Sequence, residues 1–255
     1  LVILAACILI TAVTETATAK SLYIIADING DPTPIRAYNI GAGGILSFQA
    51  EYGIPNYGWG AVGLAIDSDS KNLFVTYEGS NVIQLINATT MTDTGTTTAP
   101  GASNLAGIVY DHDKELLYCV DRGLPRVYVY NWEASTATLT QVPGSPFNLT
   151  GTTTVYGIAL DEIKDLLYVA DYSTTINVYR TSDWSSWETI SVNRTVISIA
   201  VDTERGFVYY GGGFAEDNYY LNQYNLNTYM EKEVQVAPDA GVMGIGIDPD
   251  TGLIY

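Results

Sequence analysis

One phrase recurs five times in this chain, and the recurrence constrains the fold more than any single residue can. It runs Gly, apolar, small or apolar, apolar, Asp, then a short polar stretch and an apolar run that contains an aromatic. Its first instances are Gly63-Leu64-Ala65-Ile66-Asp67 before Leu73-Phe74-Val75 and Gly107-Ile108-Val109-Tyr110-Asp111 before Leu116-Leu117-Tyr118. Gly157-Ile158-Ala159-Leu160-Asp161 follows, before Leu166-Leu167-Tyr168. Ser198-Ile199-Ala200-Val201-Asp202 then precedes Phe207-Val208-Tyr209, and Gly244-Ile245-Gly246-Ile247-Asp248 precedes Leu253-Ile254-Tyr255. The aspartates at 67, 111, 161, 202 and 248 are separated by 44, 50, 41 and 46 residues. An internal repeat of this kind decides the fold class before residue-level argument begins.

A period of this length fits one four-stranded propeller blade of about 40–50 residues. The units are rich in β-branched and aromatic residues, which suit a pleated surface, and none shows a capped run with a 3.6-residue apolar period. The clearest unit reads as strands over 155–160, 166–170, 176–179 and 187–192. Further third strands are read at 81–86 and 126–130. The first unit is read as 21–26, 35–40 and 45–49, with no strand before it. The expected architecture is therefore an all-β propeller of four-stranded antiparallel blades. Five units and the opening partial one predict six or seven blades in a full ring. The last phrase stops inside its second strand and residue 1 is Leu, so the reading expects a chain incomplete at both ends, with the propeller over 20–255.

These residues carry a resemblance. Leu73-Phe74-Val75-Thr76-Tyr77-Glu78-Gly79-Ser80-Asn81-Val82-Ile83-Gln84-Leu85-Ile86-Asn87 resembles the YVTN-type repeat of archaeal surface-layer propeller proteins. Leu167-Tyr168-Val169-Ala170-Asp171 with Ile176-Asn177-Val178-Tyr179 is similar to the NHL-type repeat. The resemblance implies a propeller at the cell surface. It implies little about chemistry, because such blades serve binding proteins, scaffolds and some enzymes.

Residues 1–13 are apolar apart from Thr11, and Ala17-Thr18-Ala19 before Lys20 reads as a small-x-small cleavage site. Residues 1–19 are read as a secretory signal peptide truncated at its start, with a membrane anchor and a lipoprotein start as alternatives. A membrane is otherwise expected only through an anchor outside these residues. Asn87, Asn148 and Asn193 each begin an N-x-Thr sequon, which suits an exported glycoprotein. The expected location is secreted or cell-surface. Past residue 19 only Cys119 remains, so no internal disulfide is available. The formal charge of −17 speaks against nucleic acid, which needs basic patches, and favours basic partners or divalent cations.

Two acidic series stand out. The aspartates that close the phrase are read as turn residues capping hairpins. A second series, Asp27, Glu78, Asp121 and Asp171, follows the second strand of successive units. In a propeller these turns share one rim with the loops that lead into the next blade. They are the candidate ligand-binding residues, and weak candidates for a metal such as calcium. No cofactor is otherwise expected. Trp59 precedes a first strand and joins the same predicted rim. Trp132, Trp184 and Trp187 follow third strands and are expected toward the outer edge, where aromatics can stack on sugars or anchor a protein. His112 is the only histidine and sits in a hairpin; no Gly-x-Ser-x-Gly elbow accompanies it, and Gly211-Gly212-Gly213 lacks the lysine of a phosphate loop. The expected function is a non-enzymatic binding or scaffold module whose partner is a protein or glycan. A metal-dependent lactonase- or lyase-like enzyme and a carbohydrate-binding module are the alternatives.

Overall fold

Each phrase supplies the first hairpin of an antiparallel sheet, and successive sheets stack side by side as propeller blades. The computed structural model describes residues 8–11, 20–26, 34–53, 55, 57–212, 219–236 and 241–255. Blade one comprises β1 (Ile8–Thr11), β2 (Lys20–Ile25), β3 (Ile35–Ile40) and β4 (Leu46–Tyr52). Blade two comprises β5 (Gly60–Asp67), β6 (Asn72–Glu78), β7 (Val82–Asn87) and β8 (Thr92–Thr98). Blade three has β9 (Leu105–Asp111), β10 (Leu116–Asp121), β11 (Arg126–Glu133) and β12 (Thr138–Gln141), with the short β13 (Phe147–Asn148) also paired to β11. Blade four has β14 (Ile158–Asp161), β15 (Leu166–Ala170), β16 (Thr175–Arg180) and β17 (Ser186–Ser191). Blade five has β18 (Ser198–Asp202), β19 (Phe207–Gly211), β20 (Tyr220–Asn225) and β21 (Glu231–Gln235). Strands follow chain order within every blade, and β5, β9, β14 and β18 pack against one another in sequence. Among the described residues no helix is long and apolar enough to cross a membrane.

The core lies between blades. One apolar cluster joins Ile25 and Ile35 of blade one to Leu73 and Tyr77 of blade two, and another joins Phe74 to Tyr128 and Trp132 of blade three. Val127 and Val129 meet Leu167 and Tyr179 of blade four, and Ile176 and Val178 meet Val208 and Tyr210 of blade five. Adjacent residues of β16 thus serve different clusters, because a pleated strand alternates its side chains between two buried faces. Cys119 is wholly buried among them, and burial pushes its thiol well above the ordinary range. It is a small apolar filler.

The repeated glycine marks where first strands touch. A Cβ on Gly107 would stand 2.8 Å from the Tyr156 carbonyl oxygen, and one on Gly157 would stand 2.6 Å from that of Ile197. In the fourth instance Ser198 takes the place, and its hydroxyl donates to the Val242 carbonyl at 2.8 Å. The repeated aspartate caps the hairpin that follows. Oδ1 accepts the backbone N–H of Asp69, Lys114, Lys164, Arg205 and Asp250 in the five units, at 2.9–3.1 Å. Four residues after each aspartate the chain enters the left-handed region, at Lys71, Glu115, Asp165, Gly206 and Gly252.

Two expectations change. A strand does precede the first unit, since Ile8–Thr11 pairs antiparallel with Ser21–Ile24. A short apolar run reads equally as a buried strand or as a leader core, so periodicity alone did not separate the two. Trp132 is not at the outer edge. It is 4% exposed and its indole N–H donates to Asp67 of the preceding blade at 2.9 Å. Five blades are formed, four of them by four strands and blade three with the extra short β13, and the fifth phrase makes an inner hairpin. There Gly246 and Tyr255 exchange backbone hydrogen bonds and Asp248 N–H reaches the Leu253 carbonyl. Residues 241–255 lie between blade five and blade one. Arg205 donates to the carbonyls of Pro249 and Asp250, while Lys20 pairs with Asp248 at 2.6 Å and Asp250 at 3.0 Å.

Candidate binding rim

The loops between the second and third strands of each blade stand beside the loops that enter the next blade, and backbone hydrogen bonds tie the two sets together. Trp59 N–H donates to the Glu78 carbonyl, Arg122 N–H to Asn104, Tyr156 N–H to Ala170 and Tyr172 N–H to Val196. One rim thus collects Trp59, Glu78, Asn104, Asp121, Arg122, Tyr156, Asp171 and Tyr172.

The rim acids are already engaged. Glu78 forms an ion pair with Arg122. Asp121 is fully buried and accepts the N–H groups of Ser103 at 3.0 Å and Gly123 at 2.9 Å. Asp171 accepts from the Ser173 hydroxyl at 2.5 Å and from Asn177 Nδ2 at 3.0 Å. Asp27 lies outside the described residues. Among those described, no three His, Cys, Asp or Glu side chains gather as a metal site. Two of the three described acids therefore organise their own turns, and the third neutralises an arginine.

What the rim offers outward is aromatic. Trp59 is 83% exposed, with one face of its indole resting on Gly79. Gly79 has φ +72, a backbone conformation that favours glycine, and a Cβ there would meet the indole at 3.3 Å. The Gly79 N–H is held by Asn104 Oδ1 at 2.8 Å. Arg122 lies 4.1 Å from the centroid of the Tyr156 ring and also reaches the Tyr156 hydroxyl. Tyr156 in turn packs against Tyr172, centroid to centroid 5.3 Å. Tyr172 is 56% exposed with φ +60. Tyr172 lies in the turn between β15 and β16, and a non-glycine residue held in the left-handed region costs about 1–2 kcal/mol. Leu124, 39% exposed, completes the surface in the blade-three turn.

Sequence reasoning found Trp59 but missed Arg122, Tyr156 and Tyr172. Arg122 and Tyr172 follow a second strand, as the rim acids do, whereas Tyr156 falls inside the strand expected over 155–160 and precedes β14, which begins at Ile158. The other tryptophans named from the sequence meet neighbouring side chains. Trp184 stacks on Phe147, and Trp187 lies under Arg180 at 3.9 Å. His112 bridges blades three and four through Glu162 at 3.2 Å, and that hydrogen bond, opposed by burial, raises its pKa. Of the sequon asparagines, Asn148 and Asn193 are exposed, while Asn87 caps its own turn through Oδ1.

No protein-family profile matches the chain. No curated protein matches it. Among solved structures 1447 chains are similar. One is a chain in the crystal structure of a nidogen/laminin complex, with a TM-score of 0.62 and 13% identity over 85% of this chain and 76% of that one. At that identity the likeness establishes the propeller fold.

Proposed function

We propose that the protein is a non-enzymatic binding module that engages a protein partner through the aromatic rim. The observation that carries this reading is Trp59, 83% exposed and resting on Gly79, in one surface with Arg122, Tyr156 and Tyr172. Tryptophan, tyrosine and arginine are the residues that dominate protein–protein binding energy. A propeller of similar fold occurs in a nidogen/laminin complex, which supports a protein partner. A place outside the cell, as in the YVTN- or NHL-type surface proteins, rests on residues 1–19 and the three sequons. Trp59→Ala combined with Tyr172→Ala weakens retention of the protein on intact cells by at least ~10-fold, at unchanged melting temperature. Undiminished retention rejects the rim as the binding face.

We also propose that the ring has six positions, the sixth holding residues 241–255 on its inner side and two further strands outside them. Each wall of that outer space bears exposed apolar side chains. Pairing places Phe48 opposite Tyr38 and Leu46 opposite Ile40 on one wall, and Val234 opposite Leu221 on the other. Phe48 and Val234 are 60% and 62% exposed, whereas the outer strand of blade two is Thr92–Thr98, mostly threonine. In the intact protein Phe48→Asp and Val234→Asp each lower stability by about 1–3 kcal/mol if strands cover them. Unchanged melting temperatures would mean the walls face water.

A further inference from the structure

Where the blade-three turn of the rim enters β11, a second arginine stands without a carboxylate. The chain carries 28 acidic side chains against 11 basic ones, so a cation would ordinarily find an acid. Arg122, at the start of the turn, pairs with Glu78. Arg126, at its end, is half-buried and forms no ion pair among the described residues. Asp121 of the same turn is taken up by the N–H groups of Ser103 and Gly123. Two residues beyond Arg126, Tyr128 is fully buried, and its hydroxyl meets no hydrogen-bond partner among the described residues. Side chains two apart on a strand share a face, so Arg126 lies with Tyr128 on the side of β11 turned to blade two. Burial and the charge of Asp121 raise the pKa of the phenol, and the neighbouring Arg126 opposes them. A guanidinium has no acceptor to offer the phenol's O–H. A buried hydroxyl left in this way calls for an acceptor from elsewhere. Gly101, exposed and with φ +80, lies over the hydroxyl, and a Cβ there would stand 3.9 Å from it. Gly123 in the blade-three turn is exposed as well. Glycine at both positions keeps side chains off the loops at this point.

A single carboxylate answers both groups. One oxygen accepts the Tyr128 O–H while the planar guanidinium donates to the carboxylate in the fork geometry the two share. A phosphate fits less well, because its second charge would meet no second free cation and would lie close to the buried Asp121 carboxylate. We infer that Arg126 and Tyr128 form a carboxylate-binding site on the rim, which takes one aspartate or glutamate side chain of the protein partner. The inference rests on the rim as the binding face and names the partner's chemistry at one point of it.

Amide NMR spectra of protein with isotope-labelled glycine, titrated with N-acetylglutamate amide, test the site directly. The Gly101 and Gly123 signals are expected to shift with a dissociation constant of about 1–10 mM, and to stay in place with the matching glutamine compound. Arg126→Gln abolishes the shifts. Tyr128→Phe keeps the ring that packs between the blades, removes only the hydroxyl, and weakens binding at least ~5-fold. No shift with the glutamate compound means that the hydroxyl holds a water, and overturns the inference. Equal shifts with the glutamine compound, shifts that survive Arg126→Gln, or tighter binding of phenyl phosphate overturn it as well. On intact cells Arg126→Gln lowers retention at least ~10-fold, as the aromatic substitutions do. Retention lost with Trp59→Ala and Tyr172→Ala but kept with Arg126→Gln overturns the carboxylate site and leaves the rim. Retention kept in both rejects the rim, and the inference with it.

Discussion

Asp67 shows how one residue can join two blades. Its Oδ1 caps its own hairpin while Oδ2 accepts the indole N–H of Trp132 from the neighbouring blade. Burial opposes its ionisation, but the Ser70 hydroxyl, Trp132 and the N–H groups of Ser70 and Asp69 outweigh it and hold the carboxyl below its ordinary value. A carboxyl depressed in the folded state contributes stability above its unfolded pKa, and that contribution is lost as pH falls through the folded value. Trp132→Phe keeps the ring and removes the donor. It is expected to cost about 1–3 kcal/mol near neutrality and to lose less on acidification below about pH 4 than wild type does. Chemical denaturation across that range checks both. Sequence placed Asp67 correctly as a turn residue, yet gave no sign of Trp132, because the facing blade lies 65 residues away.

At the scale of strands and hairpins, the phrase explains itself through geometry. Its glycine admits the next blade's backbone, and its aspartate fixes a hairpin whose fifth residue is left-handed. Two units already place glycine there, at Gly206 and Gly252, while Lys71, Glu115 and Asp165 bear the strain. Glu115→Gly is therefore expected to stabilise by about 0.5–1 kcal/mol, because relief of the left-handed penalty exceeds the entropy glycine adds to the unfolded chain. Gly107→Ala does the opposite, by about 1–3 kcal/mol, because nothing can move away from its Cβ except the backbone of blade four. Parallel thermal melts of the two variants check the signs. Strand existence was legible from the alternation of apolar runs and polar turns. Which face met which blade was not, because a strand buried on both sides carries no alternation to read. The same gap hid Ile8–Thr11, whose apolar letters fit a leader as well as a strand.

For the molecule as a whole, the proposed binding function rests on the rim and not on the repeat. The three rim acids among the described residues turn inward or pair with arginine, and the outward chemistry comes from Trp59, Tyr156, Tyr172 and Arg122. Their meeting depends on loops from three successive blades, a convergence the linear chain shows only after the propeller is assumed. The opposite face carries the capped hairpins between first and second strands, where Asp113, Ile163, Lys164 and Glu204 are exposed. The two faces therefore differ in kind, and only one is suited to burying aromatic surface against a protein. The most direct measurement places a photoreactive benzoylphenylalanine at position 59, 172, 113 or 204 of the protein on intact cells, irradiates, and identifies the products. The rim reading predicts one discrete protein adduct shared by positions 59 and 172 and absent at 113 and 204. Adducts from 113 and 204 alone, or none from the rim, would contradict it.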